Sequence, residues 1–193
     1  MTLQNYLYNR ILPIIQDWTD NDIYVISFLV HKNESNLYNG ISGFPEFSIG
    51  YNTKKLYNAF STEAKWDVAF WDNEMYDIIS AGESDEGAYF LMNWYTENGI
   101  YNIGYEDEST MYDENMEYIG KGPVGYYELL CAVSDVAKML QSDGVINEKF
   151  GNIPIIIHDL EYSWYTIEAT RNANPNGQAD EFLKYVSDCL GYN

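Results

Sequence analysis

The 193-residue chain has little of several things, and each shortage excludes something. It has two cysteines and two histidines, too few for a disulfide scaffold or for most structural zinc sites. Positive charge is scarce: 10 Lys and Arg stand against 30 Asp and Glu, net −20 at pH 7. A surface of that sign repels phosphate, which argues against direct binding of nucleic acid or of an anionic membrane. Long apolar runs are missing as well. Ile23–Val30 and Ile153–Ile157 are strand-length, far short of a bilayer span. The first ten residues lack a basic stretch followed by an apolar core, so a cytoplasmic location without a secretory signal is expected. No G-x-S-x-G, Walker or H-E-x-x-H motif is present, and no metal or cofactor is expected.

What is abundant is tyrosine and acid. Hydrophobic residues reach 46%, enough for a packed core, and the aromatics include 19 Tyr. Charge is uneven along the chain. Residues 63–118 carry fifteen acids and one base, Lys65, whereas residues 1–62 carry five acids and four bases. Such a field either keeps a face solvated or steers a basic partner toward it.

Hydrophobic spacing predicts an α+β chain of one domain, 1–193. It has a central, mostly antiparallel sheet of about four to five strands packed with helices. Leu3, Tyr6, Leu7, Ile11, Ile14 and Ile15 predict a first helix, ended or kinked at Pro13. Ile23–His31 and Glu46–Tyr51 predict two antiparallel strands around a polar loop. Thr53 suits the cap of a short helix reaching Phe60. Glu63–Ser80 is ambiguous, since Trp66, Phe70 and Trp71 suit one face of a helix or a buried extended segment, and the helix is the favoured reading. Glu83–Glu86 starts a helix over Ala88–Glu97 that Gly99 stops, and Ile100–Tyr105 reads as a strand. Tyr126–Gln141 is the clearest helix and Ile153–His158 the clearest strand, with Pro154 suited to a strand end or a sheet edge. Glu161–Arg171 and Ala179–Leu190 complete the helices. Cys131 and Cys189 are expected as buried small hydrophobes.

Two sets of residues carry candidate function. In the first, acids alternate with tyrosines: Tyr105, Glu106, Asp107, Glu108, Tyr112, Asp113, Glu114, Glu117 and Tyr118. Carboxylates pair with Lys and Arg, and phenol rings stack on guanidinium, so this pattern suits a surface that meets a basic protein. It equally suits an acidic loop with its rings turned inward. The second set, His158, Asp159 and Glu161, follows the clearest strand, where acid–base groups often sit. Gly120–Gly125 spells G-x-G-x-x-G before a helix, but Pro123 removes an amide and the flanking acids repel phosphate. An ordinary turn is expected there.

Several segments taken in order resemble a bacterial family defined only as a domain of unknown function, number 4303. They are Tyr24-Val-Ile-Ser-Phe28, Ser48-Ile-Gly-Tyr-Asn-Thr53, Glu63-Ala-Lys-Trp66 running to Ala69-Phe-Trp71, and Ile155-Ile-Ile-His-Asp-Leu-Glu-Tyr162 followed by Asn174-Pro175. The Trp-rich and His-Asp-Leu-Glu-Tyr segments are the most specific. The resemblance implies a small, single-domain, cytoplasmic bacterial protein without known catalysis, and many similar small acidic domains occur as immunity proteins beside toxins. It carries over no functional residues. The expected partner is therefore a basic protein such as a toxin domain. The rival expectations are an enzyme of unknown class using His158, Asp159 and Glu161, or a structural or regulatory domain.

Overall fold

The computed structural model describes the chain except residues 34–37, 58–64, 72–73, 83 and 192–193, and except the side chains of 33, 57, 189 and 190. Four strands form one mixed sheet: β1 (Ile23–Asn33), β2 (Phe44–Thr53), β3 (Tyr76–Ile79) and β4 (Ile155–His158). Their order is β3-β2-β1-β4. β1–β2 and β2–β3 are antiparallel and β1–β4 is parallel, so the expected α+β class with a mostly antiparallel sheet is found. The helices are α1 (Leu3–Asp17), α2 (Lys54–Tyr57), α3 (Glu86–Glu97), α4 (Tyr126–Ser142), α5 (Val145–Phe150), α6 (Trp164–Ala173) and α7 (Asp180–Leu190). Among the described residues no helix is long and apolar enough to cross a membrane.

The side-chain alternation of β1 separates two faces of the sheet. Ile26, Phe28 and Val30 point to the larger core. There they join Phe47 and Ile49 of β2, Ile155 and Ile157 of β4, and the apolar stripes of α1 and α4. α1 is capped by Thr2 Oγ1, which accepts from Asn5 N at 3.2 Å. It runs through Pro13 to Asp17 rather than ending there. Pro13 costs one backbone hydrogen bond, but burial of Ile11 and Ile15 on either side holds the helix to the sheet. The opposite face holds a smaller cluster: Val25, Ile156, Trp66, Ile167, Phe182 and Val186.

β4 lies at a sheet edge, where unpaired backbone groups need partners. α6 supplies them from two side chains one turn apart. Thr170 Oγ1 accepts from Ile157 N at 2.9 Å and donates to Ile157 O at 3.0 Å. Asn174, just past the helix, accepts from Ile155 N at 3.0 Å and donates to Ile155 O at 2.7 Å. The pair stands in for a fifth strand.

Three expectations are corrected. The described residues among 65–80 form no α-helix. They hold a 3-10 turn, Val68–Phe70, and then β3. Trp66 is buried and fastened from outside the segment, since Tyr162 Oη donates to its carbonyl at 2.6 Å. Glu63, Asp72 and Asn73 lie outside the described residues. Ile100–Tyr105 is a bend and a hydrogen-bonded turn rather than a strand, because Asn102 and Gly104 both adopt positive φ and Tyr105 N donates to Asn102 O at 3.0 Å. Cys131 is exposed, since its place on α4 points away from the stripe formed by Leu129, Leu130 and Val133. The helix expected to reach Phe60 is described only to Tyr57, with Leu56 N donating to Thr53 Oγ1 at 3.4 Å. Residues 58–60, Glu83 and the Cys189 side chain lie outside the described residues.

Candidate functional site at the carboxyl end of the parallel strands

Residues 101–121 fold into a lobe in which no residue is buried. Its root is fixed by two backbone bonds, Gly104 N to Val124 O at 3.0 Å and Val124 N to Tyr105 O at 2.8 Å. Gly104 has φ +83, and a Cβ there would stand 2.0 Å from the Ser42 carbonyl oxygen, so only glycine lets the lobe seat on residues 41–43.

Three of the lobe's acids are spent on holding it. Asp107 caps the 3-10 turn Glu108–Thr110, accepting from Ser109 N at 3.1 Å and Ser109 Oγ at 2.7 Å. Asp113 accepts from Asn115 N at 2.8 Å and Glu117 N at 2.9 Å, closing the turn between Tyr112 and Tyr118. These hydrogen bonds lower the pKa of both aspartates, through the Ser109 hydroxyl and amide for Asp107 and the Glu117 and Asn115 amides for Asp113. Glu106 turns inward. It accepts from Tyr118 Oη at 2.5 Å and lies 3.6 Å from Lys32 Nζ at the end of β1. Tyr118 Oη in turn accepts from Gly122 N at 2.9 Å. Burial and the bond to Glu106 push the Tyr118 phenol above its usual range.

The remaining predicted residues face outward. Glu108, Glu114 and Glu117 are exposed, as are Tyr105 and Tyr112. With them stand Tyr101, Met116 and Ile119, at 66%, 75% and 53% exposure. Tyr101 belongs to the same alternation of acids and tyrosines, whereas Met116 and Ile119 were missed because the pattern followed acids and tyrosines only. The predicted nine residues thus divide: Glu106, Asp107, Asp113 and Tyr118 build the lobe, and the other five present it.

The second set does not converge. His158 is 5% exposed, and its ring is wedged between Ser27 and its own chain. Nδ1 lies 2.8 Å from the Asp159 carbonyl oxygen, and Nε2 lies 2.7 Å from Ser27 Oγ. A carbonyl only accepts, so Nδ1 carries the proton and Nε2 accepts a hydrogen bond from the Ser27 hydroxyl. Burial drops the His158 pKa to about 4, so the imidazole is neutral near pH 7. A base facing a hydroxyl is the geometry of an activated serine, but Ser27 is 1% exposed on a central strand and no reactant reaches it. Trp71 closes the ring from the side, edge to face at 5.6 Å. The Asp159 carboxylate points elsewhere. Its Oδ1 accepts from Leu160 N at 2.7 Å and its Oδ2 from Tyr126 Oη at 2.9 Å. Glu161 is exposed and apart. His31 lies on the same face of the sheet as His158 but pairs with Glu46, Nε2 to Oε2 at 3.0 Å.

Two residues with no motif signature join the lobe to this strand end. Tyr126, the first residue of α4, shares its hydroxyl proton between Asp159 Oδ2 and the Val30 carbonyl oxygen at 3.0 Å. Gly122, at φ +73, rests on the Tyr126 ring, which a Cβ would approach to 2.9 Å. Trp164 Nε1 donates to Gly120 O at 3.2 Å, tying the start of α6 to the end of the lobe. The lobe and the 158–161 turn therefore stand at one end of the sheet, the carboxyl end of its parallel pair, where open sheets commonly bind ligands.

The glycine-rich turn does the ordinary work expected of it. Gly122 N is taken by Tyr118, and Gly125 N by Glu128 Oε2 at 3.0 Å, so neither amide is free for a phosphate. Among the described residues no three His, Cys, Asp or Glu side chains converge on a metal position. The segments carrying the family resemblance pack on one another, through Tyr162 on Trp66 and Trp71 on His158. No family model, curated protein or solved structure matches the chain.

Proposed function

We propose that the chain is a protein-binding module that covers a basic surface of another protein, as an immunity-type inhibitor covers a basic toxin domain. One observation carries the reading. A lobe held by Asp107, Asp113, Glu106 and Tyr118 leaves Tyr101, Tyr105, Tyr112, Met116 and Ile119 in water, with the acids Glu108, Glu114 and Glu117 exposed in the same segment. Exposed aromatic and apolar side chains on a held backbone bind with little loss of entropy, and the acids around them set the sign of the partner. The net charge of −20 favours a cationic protein over nucleic acid. Nothing in this mechanism calls for a cofactor or for catalysis; the chain acts by occlusion.

Capture from a bacterial lysate at low and high salt, read by mass spectrometry, identifies the partner. A single basic protein released by salt is expected. Association of that protein with the triple variant Glu108→Gln, Glu114→Gln and Glu117→Gln is then measured. These three acids hold no part of the lobe, so the variant folds. Its association rate falls about tenfold at low salt and converges on the wild type at high salt. An association rate that ignores the triple substitution sinks the reading.

A further inference from the structure

The two sequence-derived sites were alternatives, yet the fold sets them side by side. From Leu160 the connection runs through the Asp159 carboxylate to Tyr126, from its ring to Gly122, from that amide to Tyr118, and on to Glu106 and Lys32. Tyr165, whose ring stands 5.7 Å from that of Tyr126, sits within electrostatic reach of both Asp159 and Glu106.

Leu160 is the anomaly in this arrangement. It is 74% exposed, between Asp159 and Glu161, in a turn where a polar residue would cost nothing. A single exposed leucine needs no explanation. This one stands on a held backbone: its own N–H is bound by Asp159 Oδ1, and the other carboxylate oxygen is bound by Tyr126, a residue almost wholly inside the core. It also stands at the end of the sheet where the lobe, tied to the start of α6 by Trp164 Nε1 on Gly120 O, exposes Met116 and Ile119. A pre-positioned aliphatic side chain ringed by carboxylates is what an interface anchor looks like before its partner arrives.

We infer that the 159–161 turn is the second half of the docking surface, with Leu160 as its apolar anchor, and that the partner presents a cationic amphipathic segment. This rests on the protein-binding reading above. Apolar side chains of that segment meet Leu160, Ile119 and Met116. Its arginines meet Glu108, Glu114, Glu117 and Glu161 and stack on Tyr105 and Tyr112. Charge selects the occupant, since the lobe, residues 101–121, holds six acids against Lys121 alone and Glu161 extends the same sign across the turn. Arginine fits better than lysine where planar rings and carboxylates lie together.

The test uses the full chain, labelled with ¹⁵N, and two synthetic probes: a peptide of Leu and Arg at helical spacing and an all-Arg peptide of equal charge. The Leu/Arg peptide is expected to shift amides of both 105–119 and 159–162 and to bind at least tenfold more tightly than the all-Arg peptide. Leu160→Ser, a surface change that leaves the fold intact, is expected to lose about tenfold in affinity for the Leu/Arg peptide and none for the all-Arg peptide. Shifts confined to the lobe, or a Leu160→Ser variant that binds both peptides as the wild type does, overturn the anchor and leave the lobe reading standing. Absence of shifts in either region with either peptide overturns both.

Discussion

β1 and the lobe are built on opposite terms. Of the eight residues Ile23–Val30, all but Leu29 are buried, and six of them divide between two apolar clusters. Of residues 101–121, none is buried, and the lobe keeps its shape through Asp107, Asp113, Glu106 and Tyr118. Apolar burial is non-directional and shared among many neighbours, so its loss is felt by the whole chain. A hydrogen-bonded turn is local, so its loss is felt within a few residues. The same contrast explains how the protein can present apolar side chains to water without collapsing on them. The lobe's geometry does not depend on burying them.

The sharpest way to break this contrast is to cut into the sheet. Phe28 is fully buried on the central strand and meets Phe47 edge to face at 5.3 Å. Phe28→Ala is expected to cost about 3–5 kcal/mol, from lost transfer energy and from the cavity left behind. Urea unfolding followed by far-UV circular dichroism checks it. A cost near 1 kcal/mol would mean that the two layers of the core relax around the gap and that β1 is not the shared element described above.

The sheet's one buried imidazole gives the next largest effect, and its sign follows from protons bound. His158 has a folded pKa of about 4, below the ordinary value of about 6.5 that the unfolded chain regains. Between those values the unfolded chain binds more protons, so stability present at pH 7 is lost as the pH falls through this window. The loss from this group approaches about 3 kcal/mol near pH 4. His158→Gln removes that contribution, whatever constant cost the substitution adds. Groups that do not interact with His158 affect both proteins alike, so the difference between the two stability curves reports His158 together with its coupling to its neighbours. Curves that stay parallel from pH 7 to pH 4 would show that His158 keeps a solvent-like pKa and is not sealed by Trp71.

How much of this was legible in the sequence depends on which force fixes each part. Elements fixed by apolar periodicity were plain: the α1 stripe from Leu3 to Ile15, the α4 stripe from Leu129 to Leu140, the β1–β2 pair and the β4 run. Elements fixed by a tertiary partner were not. Trp66 and Trp71 imitate a helix face by spacing, but Tyr162 holds the backbone of one and His158 meets the ring of the other. Cys131 has apolar neighbours in sequence, yet successive helical residues diverge by about 100°, so adjacency says nothing of facing. The acidic, Tyr-rich segment was legible as a candidate surface. Its division into acids that hold and acids that present was not, because it depends on which turn each carboxylate closes. Lys32, Tyr126 and Trp164 carry no motif, and they matter only because β1, α4 and α6 bring them to the same end of the sheet.

Within the lobe the smallest effect is the most discriminating. Tyr118 is its only side chain that reaches the carboxylate of Glu106 and the amide of Gly122 together, and Gly122 in turn rests on Tyr126. Tyr118→Phe keeps the ring and its edge-to-face contact with Tyr112 at 5.6 Å but leaves the Gly122 amide without its acceptor. The loss is on the order of 1 kcal/mol, because a half-exposed amide regains water in part. Amide exchange followed by NMR is expected to quicken several-fold at Gly122 and at Ile119, whose N–H is held by the Met111 carbonyl at 2.8 Å. If the lobe were instead held by packing of its aromatic rings, the ring that remains would suffice, and both amides would exchange as in the wild type. That outcome would erase the distinction between a buried sheet and a hydrogen-bonded lobe. It would also mean that the tyrosines are structural, which removes the ground for reading them as a surface awaiting a partner.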